Sequence, residues 1–134
     1  MNPRLAASLL AAALFFAAIT NYVPGFVDAE GRVFGLFRLD VYKDALHLAS
    51  ALWALGAVLL GRAASVSFLR IFGTLYFLDG VCGVVTGASY LDLSLFIHGI
   101  ARDMPVMIRF LSSLPHLLLG GFGMATGWLG ARRG

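Results

Sequence analysis

Two histidines and one aspartate stand inside apolar stretches of this chain, and they are the side chains best able to do chemistry there. His47 lies in "DALHLASALWALGAVLLGR", Asp44–Arg62, and His116 in "SLPHLLLGGFGMATGWLGAR", Ser113–Arg132. Asp79 lies in "LYFLDGVCG", with no basic residue close in sequence. Ionisable groups within a membrane span are costly, so they usually face the protein interior and pair. A facing pair of imidazoles can ligate haem or another tetrapyrrole, and two histidines with a carboxylate can hold a metal. Asp79 is a candidate proton- or ion-handling group. The plainer alternative is a hydrogen bond from each to a backbone carbonyl or a neighbouring helix. No His-x-x-x-His or Glu-x-x-His pair is present, so no metal site is assigned.

Laying the two histidine stretches side by side sets His47 against His116, Trp53 against Phe122 and Gly61 against Gly130. Each histidine precedes its glycine by fourteen positions, about 21 Å of helix at about 1.5 Å per residue. If both helices run the same way, the histidines share one depth. Asp79, twelve positions past Ser67 and so about 18 Å along an opposed helix, falls near the same layer. The pattern is that of a parallel two-helix duplication, although the intervening helices match poorly.

The elements that must position these groups are read from hydropathy. Of 134 residues, 60% are hydrophobic and 13% charged, against about 45–50% and about 25% in ordinary soluble domains. The apolar residues fall into four blocks, 5–22, 41–60, 67–89 and 110–129. Each approaches the 17–25 residues, roughly, that cross a bilayer. The expected fold is all-α, a four-helix transmembrane bundle forming one integral membrane domain over residues 1–134. The first block also resembles a signal peptide, with Arg4 before an alanine-rich stretch, but is read as a span. The net charge of +3 sits at block ends rather than in a basic patch interleaved with aromatics, which excludes a nucleic-acid partner. Cys82, the one cysteine, has no internal disulfide partner and reads as a small packing residue.

Orientation follows from the flanking charges. Arg4, Arg62, Arg70, Arg132 and Arg133 share one side with no acidic residue. Arg32, Arg38, Lys43, Arg102 and Arg109 share the other with Asp28, Glu30, Asp40, Asp44, Asp92 and Asp103. The undiluted set lies in the shorter connections, which weigh most in orienting a membrane protein. Both termini are therefore expected in the cytoplasm of a bacterial inner membrane. Of the outer connections, "GFVDAEGRVFGLF" reads as a hairpin around Asp-Ala-Glu-Gly. The other, "YLDLSLFIHGIARDMPVMIRF", reads as an interfacial or re-entrant piece carrying a solvated His98.

Gly80, Gly83 and Gly87 repeat the spacing of Gly120, Gly123 and Gly127. Small residues so placed make one helix face smooth and permit close approach, of a helix of this chain, a flat cofactor or a neighbouring subunit. Ser112 and Ser113 precede His116 but have no acid partner or oxyanion context. No phosphate loop, nucleophile elbow or Cys-x-x-Cys pair appears, so no catalytic residue is assigned.

The stretch "GLFRLDVYKDALHLASALW", Gly35–Trp53, resembles a group of small bacterial four-span membrane proteins known only as a domain of unknown function. Their pattern is a Gly-Leu-Phe outer segment, an asparagine, then two histidines four apart entering the second span. This chain matches at Gly35, Leu36, Phe37 and His47, and departs at Asp40, Lys43 and Asp44. Lys43 in place of the first histidine weakens any metal site built on that pair. "LRIFGTLYFLDGVCG" is similar to the third span, with Asp79 where an aliphatic residue is more usual, and "LPHLLLGG" to the fourth. The resemblance implies four spans and a role for both histidines, and carries no activity.

Three functional expectations follow. The first is a non-catalytic accessory or scaffold subunit, in contact with lipid and with other membrane subunits or itself, perched on a larger, energy-converting complex. The second is a tetrapyrrole-binding protein using His47 and His116. The third is a small proton or ion conductor using Asp79.

Overall fold

The structure is a computed structural model that describes residues 1–35, 41–100 and 103–132. Leu36 and Phe37 of the Gly-Leu-Phe segment, Asp40, and the flanking cations Arg38, Arg102 and Arg133 lie outside the described residues, as does the side chain of Arg132. The chain is all-helical among those residues, with five α-helices: α1 Pro3–Ile19, α2 Val41–Leu60, α3 Arg62–Thr86, α4 Ser94–His98 and α5 Val106–Arg132. Three of them, α2, α3 and α5 to Gly130, are long and apolar enough to cross a membrane, with mean hydropathies of 1.3, 1.6 and 1.3. The first helix is shorter, at 17 residues.

Local sequence sets the helix ends. Asn2 caps α1, its Oδ1 accepting from the Arg4 N–H at 2.8 Å, with Pro3 next at a position where its missing N–H removes nothing. A 3₁₀ turn, Thr20–Tyr22, then leads into Val23 and Pro24. The expected short connection between the second and third helices is tighter still. Gly61 alone separates α2 from α3, at φ +122°, where a side chain is disfavoured. The Ser65 hydroxyl clasps this corner by donating to the Ala57 and Gly61 carbonyls. Gly87 ends α3 in the left-handed region, φ +76°, its N–H donating to the Gly83 carbonyl, so this third glycine of its series is a helix cap.

The central helix is α3, which packs on α1, α2 and most extensively on α5. Glycines of both series lie in the α3–α5 contact, each against other residues of the facing helix. A Cβ on Gly123 would meet the Gly73 Cα at 3.0 Å and the Leu69 carbonyl at 3.1 Å, and one on Gly127 the Arg70 nitrogen at 3.0 Å. Gly80 is covered by Leu117 and Gly83 by Ser113. On the other side α1 lays Ala6, Ala7, Leu10, Ala11 and Leu14 against Ala51, Ala54 and Ala57 of α2. Between them an aromatic column climbs α3: Trp53–Phe68, Phe68–Phe72 and Phe72–Tyr76 centroids are 4.9, 4.9 and 4.0 Å apart.

Arginines close one end. Arg4, Arg62 and Arg70 donate to the carbonyls of Val58, Gly130 and Gly127 near the C-termini of α2 and α5, where cations also oppose the helix dipoles. Arg70 further stacks over Trp128 at 4.2 Å. At the opposite end the expected hairpin is present in minimal form, as one antiparallel bridge between Val27 and Val33. Asp28 organises its turn, Oδ1 accepting from the Glu30 and Arg32 N–H groups. Phe26 and Phe34 of the hairpin stack with Phe16 of α1. The other connection forms the short α4, with His98 exposed as expected and Phe96 and Ile97 exposed beside it.

Candidate functional site

The three ionisable groups do converge. His116 Nδ1 lies 2.5 Å from Asp79 Oδ2, and the His47 and His116 rings are 5.8 Å apart between centroids. Nearly parallel α2 and α5 supply the imidazoles and antiparallel α3 the carboxylate, as equal depths on alternating helices require. The Asp79 side chain is fully buried and serves as a hub. It accepts from the Ser89 hydroxyl at 2.7 Å, from the Tyr90 N–H at 2.9 Å and from the Leu91 N–H at 3.3 Å. One carboxylate thus orients an imidazole and holds the chain where it leaves α3. The Tyr90 phenol, donating to the Leu75 carbonyl at 2.8 Å, is pushed above the usual tyrosine range by burial first and then by the Asp79 charge.

Spacing on the sequence passed over several neighbours. Tyr76, one turn from Asp79, lies on His116 at 4.7 Å between centroids. Its hydroxyl pairs with that of Ser50, one turn from His47, at 3.0 Å. Both were legible as polar residues on the same helix stripe as the site. Toward the hairpin end, Lys43 and Asp92 form an ion pair at 3.4 Å, and Tyr22 donates to Asp44 at 2.9 Å.

His47 differs from His116. It is 7% exposed, and its Nδ1 is buried with no hydrogen-bond partner. Both rings line a cavity of about 830 Å³. Its walls are Ala13, Phe16 and Ala17 of α1 and Ile108, Ser112, Pro115, Leu118 and Leu119 of α5. Asp79, Gly80, Gly83 and Gly87 form the α3 side, while Arg32 and Lys43 lie at the hairpin rim. The cavity exists because α1 and α5 approach at the arginine end, where Gly130 faces Pro3, and part toward the hairpin.

Toward the arginine end from Ser50 and Tyr76 the core is apolar through Leu10, Ala54, Phe68, Leu69 and Phe72, each at most 2% exposed, up to the buried Ser65 of the α2–α3 corner. The site therefore communicates with the hairpin end. Among the described residues no group of three or more His, Cys, Asp or Glu could hold a metal ion. Compared with protein-family models, with curated proteins and with solved structures, the chain matches none.

Proposed function

We propose that this chain is a four-span protein of a bacterial inner membrane, both termini cytoplasmic, that binds a small lipid-soluble molecule in the cleft between α1 and α5. The observation that carries this reading is the cavity of about 830 Å³ with the imidazoles of both His47 and His116 in its wall. The membrane reading is supported by α5, where only 17% of an apolar 18-residue window is buried by protein. In α1, 17 helical residues followed by three in a 3₁₀ turn reach about 31 Å, comparable with a hydrocarbon core of about 30 Å. The arginine end, free of acidic residues, supports cytoplasmic termini.

The accessory-subunit expectation rests on small size, sparse chemistry, apolar outer segments and glycine faces, and of these the glycine faces pack largely within the chain. The conductor expectation meets an apolar barrier in the inner half. Liposomes holding the protein should keep a pH gradient as long as empty ones do, a result read with an entrapped pH dye. A leak removed by Asp79→Asn would reinstate the conductor.

A second reading, the tetrapyrrole site, is favoured by the 5.8 Å between imidazole centroids. His47 and His116 would hold such a group through their imidazoles, which would supply its two protein ligands. One preparation separates the readings: protein extracted from its own membrane in mild detergent, examined by native mass spectrometry and absorbance. The cleft reading expects one colourless or weakly coloured small molecule per chain, lost in Ala17→Phe, which fills the cleft from α1. A haem absorption band would favour the second reading. A bare chain, or one held at fixed ratio by companion subunits with an empty cleft, would overturn the first.

A further inference from the structure

We propose that the molecule held in the cleft is a lipid quinone: an uncharged planar head with carbonyl oxygens, bonded by the imidazole pair, and an isoprenoid tail leaving between α1 and α5. This rests on the cleft reading above and specifies its ligand.

Depth argues first for an uncharged head. His47 is six residues past Val41 and His116 ten past Val106, roughly 9 and 15 Å down their helices. In a membrane whose hydrocarbon core is about 30 Å thick, that places the polar wall below the headgroup layer. A phosphate would stay higher, near Arg32 and Lys43 at the rim. A neutral carbonyl can descend.

The imidazoles can serve that acceptor. Asp79 engages Nδ1 of His116, which leaves Nε2 as the one remaining polar atom of a ring that lines the cavity, and with the carboxylate as counter-charge the protonated ring donates from Nε2. Tyr76 on the face of the ring and the Asp79 contact at its edge fix its direction. His47 adds a second imidazole to the same wall. Two imidazoles on one wall suit a head whose only polar handles are its carbonyl oxygens.

Shape agrees. The gap toward lipid lies between Ala13 and Ala17 on α1 and Leu118 on α5, small residues facing a 63% exposed leucine. A single unbranching tail fits such an exit better than the paired chains of a phospholipid.

The test uses the full chain in nanodiscs of phosphatidylcholine alone, titrated with a decyl-tailed benzoquinone and followed by native mass spectrometry and carbonyl infrared absorption. One quinone should bind per chain, with the carbonyl band moved to lower frequency by its hydrogen bond. His116→Ala should weaken binding at least tenfold and return the band toward its free position. His47→Phe, which keeps an aromatic ring, should weaken it severalfold while the protein melts as before. Ala17→Phe should abolish it. Failure of the quinone to bind, with another molecule retained in an Ala17→Phe-sensitive way, would overturn the quinone and leave the cleft reading standing. A cleft that retains nothing from the native membrane and takes no quinone would overturn both.

Discussion

Gly120→Ala should strongly destabilise the protein, whereas Gly121→Ala, one residue along, should leave it unchanged or slightly more stable. A Cβ on Gly120 overlaps the Phe77 backbone, with the Phe77 Cα at 2.7 Å and the Gly73 carbonyl oxygen at 2.8 Å. Those are main-chain atoms of a helix and cannot rotate aside, so α3 and α5 must part along their whole contact. Overpacking a close-fitted interior costs about 1–3 kcal/mol, sometimes more. The rigid obstacle places this variant at or above the upper end. A Cβ on Gly121 meets nothing nearer than the Phe77 ring edge at 4.0 Å, and alanine in a helix interior is worth up to about 1 kcal/mol over glycine. Thermal unfolding in one detergent, wild type beside both variants, reads the difference. Equal midpoints for the two variants would mean that the glycines are not holding α3 against α5.

The same pair of helices shows what could and could not be read ahead of the structure. Glycine spacing identified two smooth faces, but spacing alone does not say what lies against a face. Only the three-dimensional register puts Gly73 and Gly80 opposite Gly120 and Leu117. Helix α5 begins at Val106, four residues before hydropathy places it, because Arg109 made the first turn read as loop. Pro115 also sits within that helix, where the broken ladder lies beside the cavity. The depth argument for His47, Asp79 and His116 needed only helix rise and direction, which one-dimensional patterns carry well. The ligands of Asp79 were different. Ser89, Tyr90 and Leu91 reach it from past the Gly87 cap, and two of the three donate through backbone N–H groups that no side-chain pattern can register. The cavity was likewise illegible, since it depends on α1 and α5 converging at one end only.

Asp79→Ala should cost about 3–5 kcal/mol, since hydrogen bonds to a charged group are worth about 1.5–3 kcal/mol each and the buried carboxylate accepts several. The loss has two sources that separate experimentally. One is the His116 contact, and the other is the support of the α3 exit, where Ser89, Tyr90 and Leu91 all converge on the same carboxylate. Asp79→Asn retains an oxygen acceptor for the two N–H groups but no charge for the imidazole. It should therefore cost less than Asp79→Ala, about 1–3 kcal/mol. Adding His116→Ala removes one group left stranded, so the double variant should be more stable than the sum of the single losses implies, with a coupling of about 1–3 kcal/mol. Chemical denaturation of all four proteins in micelles completes that cycle. Strict additivity would mean that the imidazole and carboxylate do not act together. A full-sized loss in Asp79→Asn would instead assign the stability to charge alone. With coupling, the buried carboxylate serves both purposes: it fastens the outer connection to α3 and sets the direction in which His116 meets a ligand.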